Sequence, residues 1–205
     1  MTGALFLDRD GVLNAMAPAD GYITHPDDLE VLPGVPEAMA ALRRALPHLR
    51  IAIATNQRGV ALGLMTEADL DAVNARLRAA LVAAGGDVDR VEVCPHDGES
   101  CDCRKPAPGM LLRALAAWPG TTAAASAFVG DSTRDVLAGA RIGVRTFLVG
   151  EPERRRGEAA AAAAEGAPPD EEADSLAALV ADGRLIAWLR DRLAVPAAPP
   201  VKERP

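Results

Sequence analysis

Two carboxylates, Asp8 and Asp10, stand two positions apart where the apolar run Leu5-Phe6-Leu7 gives way to Gly11-Val12. Residues two apart on an extended chain face the same way, so both can meet one ligand. The bland alternative is a surface turn in which Asp and Gly only bend the chain. Three further polar clusters each follow a comparable apolar run. Thr55-Asn56-Gln57 offers a hydroxyl and two amides suited to phosphate oxygens, or else ordinary loop polarity. Arg104-Lys105-Pro106 offers two cations for an anion, or a solvated pair beside a proline. Gly130-Asp131-Ser132-Thr133-Arg134-Asp135 offers two more carboxylates, or a helix cap built on Asp131 or Ser132. Four such clusters in succession would converge on one rim, which coincidence explains poorly, and together they suit an anionic, phosphate-bearing ligand.

A second constellation gathers all three cysteines and one of three histidines: Cys94, His96, Cys101 and Cys103. Three thiolates and an imidazole form a closed tetrahedral set for structural zinc, with no position left for a catalytic water. Chance clustering of free thiols is the alternative. A zinc ion here would brace the loop that runs directly into Arg104 and Lys105. His25, in the loop 22–26, is read as a surface residue or a substrate contact, and His48 is given no role.

The elements that must position these residues follow from hydrophobic spacing. Buried strands are expected over 4–8, 50–55, 91–94, 127–131 and 144–149, and helices over 36–46, 66–84, 108–118 and 133–141. Thr66 with Asp69 three positions on marks a helix start, and Gly85-Gly86 its stop. Strands alternating with helices predict an α/β fold: a three-layer, Rossmann-like parallel sheet with helices on both faces. Ligands of such sheets bind beyond the carboxyl ends of the strands, where all four clusters lie. Residues 1–150 read as one domain with the zinc loop at 94–103. The alanine-rich stretch 151–172 reads as a linker, 173–195 as C-terminal helices broken near Gly183, and 196–205 as a disordered tail. No interval between the clusters has room for a cap domain.

Composition bounds the partners. The 205 residues carry 22 basic and 29 acidic side chains, a net charge of -7, which disfavours nucleic acid and anionic membranes. The run Arg154-Arg155-Arg156 is too short to make a basic patch and is assigned to a solvated surface. No apolar stretch reaches the roughly 18 residues needed to span a bilayer. The N-terminus meets Asp8 before any signal-peptide core, so a cytoplasmic monomer acting on a small metabolite is expected.

Taken in order, the four clusters resemble the haloacid dehalogenase superfamily of phosphohydrolases over roughly residues 5–149. The resemblance implies that Asp8 is the nucleophile and forms an aspartyl-phosphate, with Asp10 as general acid and then base. It implies that Thr55 and Asn56 hold the transferring phosphoryl and that Lys105 neutralises its charge and orients Asp8. It implies Mg²⁺ on Asp8, Asp131 and the backbone carbonyl of Asp10, with Asp135 in support. The zinc loop is similar to two branches, the D-glycero-D-manno-heptose-1,7-bisphosphate 7-phosphatases and the histidinol-phosphate phosphatases. The stretches 8–35 and 55–63 look more like the former. The four-residue spacing between His96 and Cys101 is closer to the latter, and Ser132 departs from the lysine frequent in the heptose branch. A sugar bisphosphate would need a second cationic anchor, for which Arg104 is preferred over Arg58 and Arg134. Histidinol phosphate would need an acidic group, for which Asp97, Glu99 and Asp102 are candidates. A noncatalytic phosphate-binding module and a nucleic-acid end phosphatase are the readings of other classes.

Overall fold

A computed structural model describes residues 2–17, 21–98 and 101–193. Its centre is one six-stranded sheet, all parallel: β1 (Ala4–Leu7), β2 (Arg50–Asn56), β3 (Arg90–Cys94), β4 (Ala127–Gly130), β5 (Arg145–Val149) and β6 (Glu171–Ala173), in the order β3-β2-β1-β4-β5-β6. The chain moves outward from β1 to β3, returns to the other side of β1, and moves outward again. The direction therefore reverses between β1 and β4, and a crevice opens at the ends of those two strands.

The four inner strands β1, β2, β4 and β5 are largely buried on both faces, which is why they read as nearly continuous apolar runs rather than alternating ones. Leu5 and Leu7 face one layer with Ile51, Ile53, Val129 and Phe147. That layer is covered by α1 (Val35–Ala45), α2 (Glu67–Ala83), α6 (Leu176–Ala181) and α7 (Arg184–Leu193), through Met39, Leu77, Leu179 and Leu189 among others. Phe6, Ala52, Ala54 and Phe128 face the other layer, against Met110 and Leu111 of α3 (Gly109–Ala116) and Ala138 of α4 (Thr133–Ala140). With aromatics at only 3% of the chain, Phe6 and Phe128 pack edge to face on that side.

Helix starts follow local chemistry. Thr66 and Asp69 form the expected capping box on α2. Ser132 and Asp135 play the same parts on α4, with Asp135 Oδ2 accepting from the Ser132 N–H at 3.1 Å and from its hydroxyl at 2.7 Å.

The expectation of a linker over 151–172 needs correction. Residues Pro152–Ala164 form α5 and Glu171–Ala173 the edge strand β6. Glu151 caps the helix by accepting from the N–H groups of Glu153 and Arg154, and Pro152 sits in the first turn. The alanine run lacks large side chains but suits close approach: Ala162 is fully buried against Val136 and Leu148. The expected tail 196–205 lies outside the described residues. Among those described, no further domain is inserted between the strands, and no helix is long and apolar enough to cross a membrane.

Candidate active site

The crevice at the β1/β4 reversal holds a cavity of about 640 Å³. Asp8, Asp10, Thr55, Asn56, Lys105 and Asp131 all border it, so all four clusters converge as the fold class required. Loop residues Met16, Ala17, Tyr22 and Ile23 form its other wall. His25 is elsewhere, accepting from the Asp27 N–H at the start of a short 3₁₀ turn.

Asp8 follows β1 directly, and its N–H extends the ladder to the Val129 carbonyl. Its Oδ1 accepts from the Arg9 N–H at 2.7 Å and pairs with Lys105 Nζ at 2.8 Å. The same ammonium lies 2.6 Å from Asp135 Oδ1 and 5.5 Å from the Phe128 ring centre. Burial holds the Asp8 carboxyl well above the usual carboxylate range; Lys105 opposes that rise, and Asp135 and Asp131 add to it. Burial works against the charge on Lys105, but Asp135 and Asp8 outweigh it and raise its pKa. Asp131 is pushed up to about 6, by burial first and then by Asp135, against the pull of Arg154. Gly11 lies at φ +87°, and a Cβ there would collide with the Asp131 carboxylate. The glycine thus lets the β1 loop close onto the β4 end.

Oxygens of Asp8, Asp131 and Asp135 lie within 4.8 Å of one another. Three carboxylate oxygens this close, two of them on groups whose charged form is disfavoured, fit a hard divalent cation such as Mg²⁺. The Asp10 carboxylate does not join them. It turns instead to Arg9, Asn14 and Gln57.

Four residues make contacts that the spacing did not foretell. Both ends of the Asn56 side chain bind the backbone of Lys105, donating to its carbonyl at 3.1 Å and accepting from its N–H at 3.0 Å. Its amide therefore helps to place the lysine. Arg58 is tied to Asp97 at 2.6 Å, and Arg104 donates to the His96 carbonyl. These two border a neighbouring cavity of about 450 Å³, which meets the first at Lys105 and Arg134. Arg154, assigned to a solvated surface, reaches from α5 to Asp131 Oδ2 at 2.7 Å. Four residues on, Glu158 accepts from the Thr133 N–H and hydroxyl at 2.7 Å each. The signal available was the i, i+4 spacing of Arg154 and Glu158 behind the Glu151-Pro152 start.

The cysteine cluster assembles too. Ligand atoms of Cys94, His96, Cys101 and Cys103 lie within 4.8 Å of one another. Cys94 Sγ is 3.6 Å from Cys101 Sγ and 3.7 Å from His96 Nδ1, and that nitrogen is 3.2 Å from Cys103 Sγ. A tetrahedron with bonds of about 2.0–2.3 Å has edges of roughly 3.5–3.8 Å, so the 3.6 and 3.7 Å spacings match a zinc-sized centre and the 3.2 Å one is slightly tighter; the three cysteines are unbonded to one another.

A HAD-hydrolase-like family model matches residues 102–179. The D-glycero-β-D-manno-heptose-1,7-bisphosphate 7-phosphatase of Pseudomonas putida is 43% identical over 153 residues, 73% of this chain and 85% of that protein. The D-glycero-α-D-manno-heptose-1,7-bisphosphate 7-phosphatase of Mycobacterium tuberculosis is 40% identical over 133 residues, 64% of this chain and 68% of that one. Among solved structures, the D,D-heptose 1,7-bisphosphate phosphatase of B. bronchiseptica, complexed with magnesium and phosphate, superposes with a TM-score of 0.77 at 34% identity, covering 90% of this chain and 99% of that one. A common sheet, a common order of elements and this level of identity over most of both chains lead to one placement: the chain belongs to the haloacid dehalogenase superfamily, within the phosphatase family of the D-glycero-D-manno-heptose-1,7-bisphosphate 7-phosphatases.

Proposed function

We propose that the protein removes the 7-phosphate of D-glycero-D-manno-heptose 1,7-bisphosphate through an aspartyl-phosphate on Asp8. The observation that carries the reading is the buried set Asp8–Lys105–Asp135 beside Asp131 at the β1/β4 reversal. Lys105 and the Arg9 N–H hold Asp8 Oδ1, which leaves Oδ2 for attack on phosphorus. As the new P–O bond forms, the ester P–O bond breaks and the sugar alkoxide takes a proton from Asp10. Asp10 then takes a proton from water, whose oxygen attacks phosphorus; the bond to Asp8 breaks and inorganic phosphate leaves. Thr55 and Lys105 offer the hydroxyl and the charge that meet the phosphoryl oxygens. Asp8, Asp131 and the Asp10 carbonyl would hold Mg²⁺, with Asp135 in support through Lys105. When bound, the ion supplies positive charge that lets a carboxylate approach a phosphate dianion. The Cys94–His96–Cys101–Cys103 set is assigned to structural zinc, because the four ligands close the coordination sphere.

The adjoining cavity supports a bisphosphate. Arg104, with Arg58 and Arg134, would take the 1-phosphate there, while the 7-phosphate sits at Asp8. Histidinol phosphate is the second reading, favoured by the short His96–Cys101 interval. Of its candidate acidic groups, Asp97 pairs with Arg58 at 2.6 Å and Asp102 is exposed; Glu99 lies outside the described residues. Relatives named for the α and the β anomer are nearly equally similar, so both anomers belong in the test. Phosphate release from each anomer and from histidinol phosphate, with and without Mg²⁺, decides the matter. The heptose is expected to be preferred and the metal required; preference for histidinol phosphate would overturn the assignment. A monomer in the cytoplasm, with no nucleic acid or membrane partner, completes the reading, and sedimentation checks the first part.

A further inference from the structure

Arg9 is the bulkiest fully buried side chain, with no exposed surface. A buried guanidinium needs a carboxylate and hydrogen-bond acceptors to offset its lost hydration. Its carboxylate is Asp10: Nε donates to Oδ1 and an Nη to Oδ2, both at 3.1 Å, in a bidentate fork. The other Nη donates to Asn74 Oδ1 at 3.2 Å. Asn74 is itself buried, in the middle of α2, and belongs to none of the four clusters.

Two more donors complete the cage. Asn14 Nδ2 donates to Asp10 Oδ1 and Gln57 Nε2 to Oδ2, each at 2.8 Å. A carboxylate offers about four acceptor positions, and here all four are taken. For Asp10 to exchange a proton with a leaving group or water, one donor must yield. Gln57 borders the cavity and already shares its amide with Thr55 Oγ1 at 2.9 Å, so it has somewhere else to go. The fork from Arg9 has no other carboxylate and no solvent to turn to.

We propose that Arg9, seated on Asn74 of α2, is the positioning residue that holds the Asp10 carboxylate for proton transfer. Its two planar bonds fix the rotation of the carboxylate while the other donors exchange. A lysine in its place would supply charge without that rotation lock. Helix α2, which carries no reacting group, thereby sets the geometry of the general acid.

This inference rests on the reading of Asp10 as general acid, and the experiment separates the two. The quantity measured is the ratio of kcat/KM for an alkyl phosphate, the heptose bisphosphate, to kcat/KM for p-nitrophenyl phosphate. An alkoxide needs a proton to leave and nitrophenolate does not. The ratio is independent of the fraction of folded enzyme, so a variant that folds poorly still reports. Asp10→Asn is expected to lower the ratio by about 10²–10⁴-fold, the usual worth of a general acid. Asn74→Ala is expected to lower it about tenfold, as a misplaced catalytic group does, and Asn74→Asp, which keeps an acceptor for Arg9, to restore it within about twofold. If Asn74→Ala slows both substrates alike, or neither, while Asp10→Asn moves the ratio, the positioning role is overturned. If Asp10→Asn leaves the ratio unmoved, the general-acid reading fails and the proposal with it.

Discussion

The site contains two buried cations that solve different problems. Lys105 is a point charge set between Asp8 and Asp135, at 2.8 and 2.6 Å. Arg9 is a planar fork set between Asp10 and Asn74. A point charge by itself sets no plane for its carboxylates and can also meet an incoming phosphoryl. Arginine does the opposite, spending its donors to hold one carboxylate in one plane. The difference shows that charge alone does not explain either residue: one faces the chemistry, the other fixes the geometry beside it.

The strongest way to break the comparison is to remove the point charge. Lys105→Met is expected to cost about 3–4 kcal/mol of transition-state stabilisation, a hundred- to a thousandfold in kcat, with substrate still bound. Near-normal turnover in a steady-state assay would mean the lysine is merely structural.

The carboxylate partners should then part company in stability. Asp10→Asn leaves Arg9 charged and buried without its counter-ion, and is expected to cost about 3 kcal/mol in denaturant unfolding. Asp8→Asn should abolish turnover yet leave the metal-free protein as stable or more so. The sign follows from its raised pKa: a carboxyl held above its unfolded value loses stability as pH rises through the interval, so a neutral amide relieves that loss at pH 7.

The cysteine–histidine cluster assigned to zinc extends the test outside the charged site. Cys103→Ser should lower bound zinc from one per chain in metal analysis. A loss of about 2 kcal/mol would show as roughly 4–8 °C in Tm at this chain length. A protein purified without zinc would remove the assignment.

Proton competition gives a smaller effect. The Asp131 pKa is pushed up to about 6 and that of Asp8 is raised too, so Mg²⁺ affinity by calorimetry should fall as pH is lowered through this range, because the ion must displace protons. The smallest effect belongs to Arg154→Gln. Its side chain is 39% exposed, so losing the Asp131 pair should cost no more than about 1 kcal/mol, seen as a change of a few-fold in Mg²⁺ affinity.

The sequence by itself determined five of the six strands, their alternation with helices, and the four polar clusters at the strand ends. Those depend on local periodicity and on the rule that parallel strands all point their carboxyl ends to one side. It also placed Cys94, His96, Cys101 and Cys103 within ten residues, a complete ligand set for one ion if the loop folds back on itself. Only the tertiary structure decided which polar atom each side chain meets. Asn56 spends its amide on the Lys105 backbone, Asp10 turns to Arg9, and Asn74 reaches the site from a helix that carries no motif. The stretch 151–172 lacked large apolar residues, so nothing in its pattern announced a core contact. Ala162 nonetheless packs because its small side chain lets two helices approach, and Arg154 then falls on Asp131. Contacts between residues far apart in the chain depend on packed distances, which no local spacing encodes.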